Sequence, residues 1–188
     1  MMVRFVSRNE HKVAEARRIL AGFGIDLLAT YAVVEELQMV YTERLVRDKV
    51  LRAFQLIGRP SFVEHTGLYL DMLNGFPGGL TQIFWDKLQK DRFAELFASD
   101  TARVIARTHI GYVNGRKVWH FEGEVTGKII APPRIDYGFQ WDCVFVPDGY
   151  TETFSEMGQK KDEISMRRRA LESLAEHVIN EHDTQRTC

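Results

Sequence analysis

The chain has 188 residues, 45% of them hydrophobic, and carries 25 basic against 26 acidic side chains for a net charge of −1. That is enough apolar material to bury the core of one sizeable domain, or of two lobes sharing a cleft. A charge so close to zero excludes a globally basic nucleic-acid or membrane-surface binder, so any charge-driven recognition has to be local. Cys143 and the final residue, Cys188, lie far apart and form no C-x-x-C pair, so neither a disulfide framework nor a cysteine zinc site is expected. The N-terminal run has no signal-peptide hydrophobic region, and no segment approaches the roughly 20 apolar residues of a membrane span. A reduced, cytoplasmic setting is the expectation.

In chain order, Val3–Ser7 predicts a short strand. A helix follows, with Asn9 as N-cap and Val13, Ala16, Ile19 and Leu20 at helical spacing, stopped by Gly22 and Gly24. A weaker strand covers Asp26–Ala32. Thr42 is expected to cap a helix running to Ile57, ended by Gly58 and Pro60. Ser61–Glu64 predicts the next strand, and N-G-F-P-G-G (74–79) a loop. Leu80–Phe97 predicts a helix broken near Lys90. Val104–Val113 and Lys117–Gly123 flank Asn114-Gly115, a strong hairpin signal, and Glu124–Ile130 continues as strand until Ala131-Pro132-Pro133. A short strand at Cys143–Val146, a turn at Pro147-Asp148-Gly149 and a helix from Asp162 to His182 complete the order. That order implies an α/β protein with a mixed sheet.

Five stretches carry chemistry. In S-R-N-E-H-K (7–12) a strand gives way to a helix start, where unpaired backbone N–H groups and the helix dipole favour an anion such as phosphate. Ser7 and Asn9 can bond it and Lys12 can neutralise it, although on this motif alone an N-cap beside a solvated lysine is the simpler explanation. In V-E-E-L-Q (34–38), Glu35 and Glu36 offer either an acidic turn or an oxygen ligand for Mg²⁺. Lys49 lies on an apolar helix stripe, either snorkelling or reaching into a site.

In V-E-H-T-G-L (63–68), Glu64 and His65 stand at the expected strand end, either as metal ligand plus base or as an ordinary pair, with Asp71 a further cleft candidate. Around 139–142, Phe139 and Trp141 can stack on a planar base and Asp142 can accept from it, unless they belong to a core strand. Lys160, Lys161, Arg167, Arg168 and Arg169 crowd a helix start. One arginine there can clamp a phosphate with its planar fork, while at least one of the three belongs to a solvated face.

Taken together, these stretches resemble the inosine triphosphate pyrophosphatase family over nearly the whole chain. The resemblance rests on S-R-N-E-H-K, on V-E-H-T-G-L-Y-L-D-M-L-N-G-F-P-G (63–78), on G-E-V-T-G-K-I-I-A-P-P-R (123–134), and on the C-terminal block from Phe139 to Leu171. The run P-D-G-Y-T-E-T-F-S-E-M (147–157) within that block is the most specific. It implies an elongated α/β fold of two lobes around one cleft, spanning residues 1–188 as a single domain, usually as a homodimer. It implies Mg²⁺-dependent hydrolysis of purine nucleoside triphosphates such as ITP, dITP and XTP to monophosphate and pyrophosphate, with water as nucleophile.

By that resemblance, Ser7, Asn9 and Lys12 match a triphosphate grip, Glu36 a metal-binding glutamate and Lys49 a phosphate-contacting lysine. Glu64 matches the first of two adjacent acids, and Thr66 the residue after them. Phe139, Gln140, Trp141 and Asp142 match a base-binding turn, and Lys161, Ser165, Met166 and Arg167 a C-terminal recognition motif. Four positions, in three motifs, depart from the family pattern. His65 replaces the second acid, Gln140 and Cys143 replace a glycine and a proline, and Met166 replaces a histidine that contacts the purine. A histidine can serve as base but cannot supply a carboxylate's charge beside a metal. Altered specificity, reduced activity, a nucleotide-binding protein without turnover, or a hydrolase of changed chemistry all follow as readings.

Overall fold

The computed structural model describes residues 1–135 and 139–186; positions 136–138, 187 and Cys188 lie outside them. The elements are β1 (Met2–Val6), α1 (Glu10–Ala21), β2 (Asp26–Thr30), α2 (Thr42–Ile57), β3 (Ser61–Leu70), α3 (Thr81–Phe97), β4 (Val104–Val113), β5 (Val118–Ile129), β6 (Phe145–Pro147), α4 (Phe154–Met157), α5 (Lys161–Ile164) and α6 (Met166–Arg186). They form an α/β architecture on one six-stranded mixed sheet in the order β2-β1-β3-β4-β5-β6. β1 runs parallel to β2 and β3, and the remaining pairs are antiparallel.

Side-chain alternation sets what covers each face. Phe62 and Ile110 join Phe5, Val13, Leu20, Leu171 and Leu174 beneath α1 and α6. Val63 and Val113 turn to the other face, under Leu45, Val46 and Val50 of α2. Farther along the sheet, Leu68, Leu70, Ala106 and Ile129 pack against Phe93 and Phe97 of α3 and against Trp141, Phe145 and Phe154. Near the start of α2 the second face carries Arg107, His109, Glu122 and Glu124, with His109 buried and Glu122 and Glu124 exposed.

Several boundaries differ from the sequence expectation. β3 does not end at Glu64 but runs to Leu70, through Thr66-Gly67. Gly67 belongs inside the strand because the backbone of Gly78 passes against it, where an added Cβ would overlap the Gly78 carbonyl. Thr42 is the first residue of α2 rather than its cap. Tyr41 holds the cap position without a side-chain bond, and the Thr42 hydroxyl bonds the Tyr69 hydroxyl at 2.7 Å. Gln140–Cys143 is a 3₁₀ turn, so β6 starts at Phe145.

The last helix does not start at Asp162. Ser165 breaks it with extended backbone (φ −64°, ψ 154°), and its Oγ accepts from the Arg168 N–H at 3.1 Å as an N-cap does. The break expected near Lys90 falls at Gln89, whose backbone leaves the helix. The hairpin lies where Asn114-Gly115 places it, with Asn114 Oδ1 accepting from the Arg116 and Lys117 N–H groups. α6 crosses β5 at Gly123, where a Cβ would overlap the Met166 carbonyl and the Ala170 nitrogen. Gly123→Ala is therefore expected to lower stability by about 1–3 kcal/mol, read as a lower urea midpoint at unchanged m-value.

Candidate active site

The chain topology opens a crevice. β1 lies between β2, reached through α1, and β3, reached through α2, and the two helices cover opposite faces. That is a switch point, and ligands of such sheets bind beyond the carboxyl ends of the strands there. β1 ends at Val6 and pairs with β3 at Phe5–Phe62, while β3 continues for eight residues past Phe62. Residues 64–66 of β3 are thus left without a strand on the β1 side. A cavity of about 260 Å³ occupies the notch, lined by Ser7, Asn9, Lys12, Glu36, Lys49, Glu64, His65, Thr66 and Gln140, with Arg8 and Gln82 among the others.

Glu64 and His65 are adjacent in sequence and turn to opposite faces of β3, as strand geometry requires. On the α1/α6 side Glu64 is buried. It accepts from Arg167 Nε at 2.6 Å and Nη2 at 3.2 Å, a two-pronged guanidinium contact, and pairs with Lys12 Nζ at 2.8 Å. Arg167, itself fully buried, also donates to Glu15, and Ser165 Oγ donates to Glu15 at 3.2 Å. The group is balanced: two carboxylates, one guanidinium and one ammonium. Glu15 had no place in the sequence reading. Its signal was its position, an acid on the buried arc between Val13, Ala16 and Ile19 and one turn after Lys12.

On the α2 side, His65 Nδ1 lies 3.1 Å from Glu36 Oε1. Lys49 Nζ pairs with Glu36 and donates to the Glu64 carbonyl at 3.1 Å. Lys49 therefore reaches into the site. Thr66 shares a 2.8 Å hydroxyl bond with Thr108. Asn9 caps α1, accepting from the Lys12 N–H at 3.1 Å, and Ser7 Oγ accepts from the Asn9 N–H at 3.2 Å.

A second cavity of about 190 Å³ adjoins Glu15 and is lined by His11, Phe139, Asp142, Phe154 and Lys161. Lys161 Nζ bonds Asp142 at 2.5 Å and sits 4.7 Å over the Phe139 ring. Gln140 takes the left-handed backbone (φ 48°) that a glycine adopts freely, and its amide donates to Gln82. Two sequence expectations are corrected here. Trp141 is 2% exposed and packs against Phe145 and Phe154, so its indole supports the turn and offers no face to a base. Met166 is fully buried in the same core, and its thioether lines neither cavity. Asp71 is exposed in the turn after β3, outside both. Arg168 pairs with Glu172 at 2.8 Å and Arg169 bonds the Glu124 carbonyl at 2.7 Å, which leaves Arg167 as the arginine directed inward.

Electrostatics follow from burial against partners. Burial alone would raise the Glu64 carboxyl, but Arg167 and Lys12 outweigh it and hold it well below the usual carboxylate range. The same contest depresses Glu15, through Arg167 and Lys161. For Glu36, burial is overcome by His65 and Lys49, and the carboxyl is pulled down to about 2. Burial lowers Lys12 despite Glu64, and burial pushes Asp142 up despite Lys161. A depressed carboxyl stabilises the fold above its unfolded pKa of about 4.3 and loses that contribution as pH falls through the folded value. Glu15, Glu36 and Glu64 act in this sense, and Asp142 in the opposite one. Stability is therefore expected to fall between about pH 5 and pH 2, with a shallower decline in Glu36→Gln, measured by urea unfolding across that range.

The sequence profile of the Ham1 family matches residues 3–177. A dITP/XTP pyrophosphatase of Methanopyrus kandleri is 34% identical over 184 residues, covering 96% of this chain and 97% of the relative. An inosine triphosphate pyrophosphatase of Yarrowia lipolytica is 36% identical over 178 residues, covering 93% and 94%. A solved HAM1 protein from Coxiella burnetii superposes with a TM-score of 0.79 at 22% identity, covering 96% of this chain and 99% of the other, a likeness of fold. With the profile spanning the strands, the crevice and the buried ion group alike, the chain belongs to the Ham1 family.

Proposed function

We propose that the protein hydrolyses a noncanonical or modified purine nucleoside triphosphate between its α and β phosphates, giving the monophosphate and pyrophosphate. The observation that carries this reading is the crevice beyond Val6, where two lysines, two carboxylates and a histidine converge beside a helix start. The names of the relatives support the purine class. Lys12 and Lys49 neutralise the triphosphate, and Ser7, Asn9 and the first turn of α1 bond its oxygens. His65 takes a proton from the attacking water. A Glu36 carboxylate accepting from His65 Nδ1 leaves Nε2 as the basic nitrogen of the ring. Thr66 orders the strand beside them. Phe139, Gln140, Asp142 and Lys161 form the base side, with Trp141, Ser165 and Met166 as the packing behind it. Arg167 positions Glu64.

The donor chemistry fits Mg²⁺ unequally. A carboxylate has about four lone-pair directions. Glu36 uses two, on His65 and Lys49, and Glu64 uses three, on Arg167 and Lys12. Glu36 would thus be the main protein ligand and Glu64 a minor one, with substrate oxygens and water completing the set. Bound there, Mg²⁺ would offset phosphate charge. The reading extends to a single domain of two lobes around the cleft, acting as a cytoplasmic homodimer, with no nucleic-acid or membrane partner. Among the described residues no helix is long and apolar enough to cross a membrane.

A second reading, nucleotide binding without turnover, is favoured by one observation: Glu64 is tied up by two cations and its neighbour is a histidine rather than an acid. The deciding experiment is pyrophosphate release with Mg²⁺ across ITP, XTP, dITP, the common triphosphates and modified purine triphosphates, with binding measured in parallel. Release from one or a few of these supports hydrolysis. Tight binding with no release from any supports the second reading.

A further inference from the structure

The face of β4–β5 that carries Arg107 and Glu124 holds a side-chain group separate from the crevice. His109 and Glu122 are opposed across the two strands, and His120 is opposed to Gly111, so all three project from one face as direct and diagonal neighbours. His109 Nδ1 lies 2.8 Å from His120 Nε2 and 3.7 Å from Glu122 Oε2. One ligand atom from each of the three falls within 4.8 Å of the others, and among the described residues this is the cluster of three or more such groups that meets that limit. Tetrahedral ligands at metal–nitrogen distances of about 2.0–2.1 Å stand roughly 3.4 Å apart. The two observed separations bracket that value.

The group also has an outer layer. His109 Nε2 contacts the Tyr69 hydroxyl at 3.1 Å, and that hydroxyl bonds Thr42 Oγ1 at 2.7 Å. The far nitrogen of His109 is thereby anchored and its Nδ1 aimed at His120, the arrangement that orients metal-binding imidazoles. His109 is buried, His120 half-buried and Glu122 exposed, which leaves a side open to solvent. The opposing charge is Arg107, whose guanidinium is engaged by Glu124 at 2.6 Å and lies 5.0 Å over the Tyr69 ring.

We propose that His109, His120 and Glu122 bind a transition-metal dication of the Zn²⁺ class, with a fourth position open to water. Two imidazoles and one carboxylate suit Zn²⁺ or Co²⁺, whereas Mg²⁺ prefers oxygen donors alone. His65, the strand partner of His109, turns to Glu36 instead, so the two sites are separate.

The test uses full-length protein without an affinity tag, stripped of metal and titrated with Co²⁺, then with Zn²⁺ as competitor. One equivalent of Co²⁺ is expected to give the visible absorption of a low-coordinate nitrogen–oxygen site, and Zn²⁺ to abolish it. His120→Ala is expected to weaken binding by more than ~10-fold, since even outer-layer changes cost 10- to 100-fold. Glu122→Ala, at an exposed position, should weaken it also and serves if His120→Ala fails to fold. Glu36→Gln should leave the titration unchanged. No visible band, equal affinity in both ligand variants, or loss of binding in Glu36→Gln alone would overturn the assignment.

Discussion

Arg167→Met is expected to destabilise the protein by about 3–5 kcal/mol in urea unfolding at neutral pH. Methionine fills much of the same volume, so the cost is chiefly electrostatic. Arg167 is fully buried between Glu15 and Glu64 and bonds both. Removing it leaves two buried carboxylates with Lys12 as the remaining cation against Glu64. The deficit should shrink as pH falls and the carboxylates protonate. In the triple variant Glu15→Gln, Glu64→Gln, Arg167→Met most of the stability should return, because a buried ionic group removed as a whole is often close to neutral. A loss below about 1 kcal/mol for the single variant would show that these charges are far better solvated than their burial implies.

Lys12→Ala is expected to lower kcat/KM for pyrophosphate release by about 10²- to 10³-fold, the usual range for removing one group that stabilises developing charge. Lys12 stands one turn into α1, against Glu64 and on the wall of the crevice. The fold should survive, because Glu64 keeps its two-pronged contact with Arg167. Unfolding curves measured alongside the kinetics separate the two effects. A folded Lys12→Ala protein with undiminished kcat/KM would remove Lys12 from the triphosphate grip. Glu36→Gln should act differently, raising the Mg²⁺ concentration needed for half-maximal rate, since it removes the carboxylate with the most unused lone pairs.

The sequence was most legible where one residue decides local structure. Asn9 caps α1 and Asn114 builds the β4–β5 turn through its own side chain, and both bonds span a few residues, so the pattern displays them. The α/β class followed from element order. The extent of β3 was hidden, because Gly67 reads as a break until Gly78 is seen against it. The split between α5 and α6 was hidden too, because Lys160–Arg169 is rich in helix formers and nothing in composition marks Ser165 as a cap.

For the site, the motifs placed Ser7, Asn9, Lys12, Glu36, Lys49, Glu64, His65, Thr66 and Gln140 on one list, and the fold brings them to one crevice. The sequence by itself determined the family, the helix starts and the set of charged groups, since these depend on residue identity and near neighbours. Tertiary structure alone decided that Glu15 completes the Arg167 group across 152 positions, that Trp141 and Met166 belong to the core, and that His109 faces His120. Those outcomes depend on which strand faces which helix and how deeply each side chain is buried, and burial is a property of the packed chain rather than of any stretch of it.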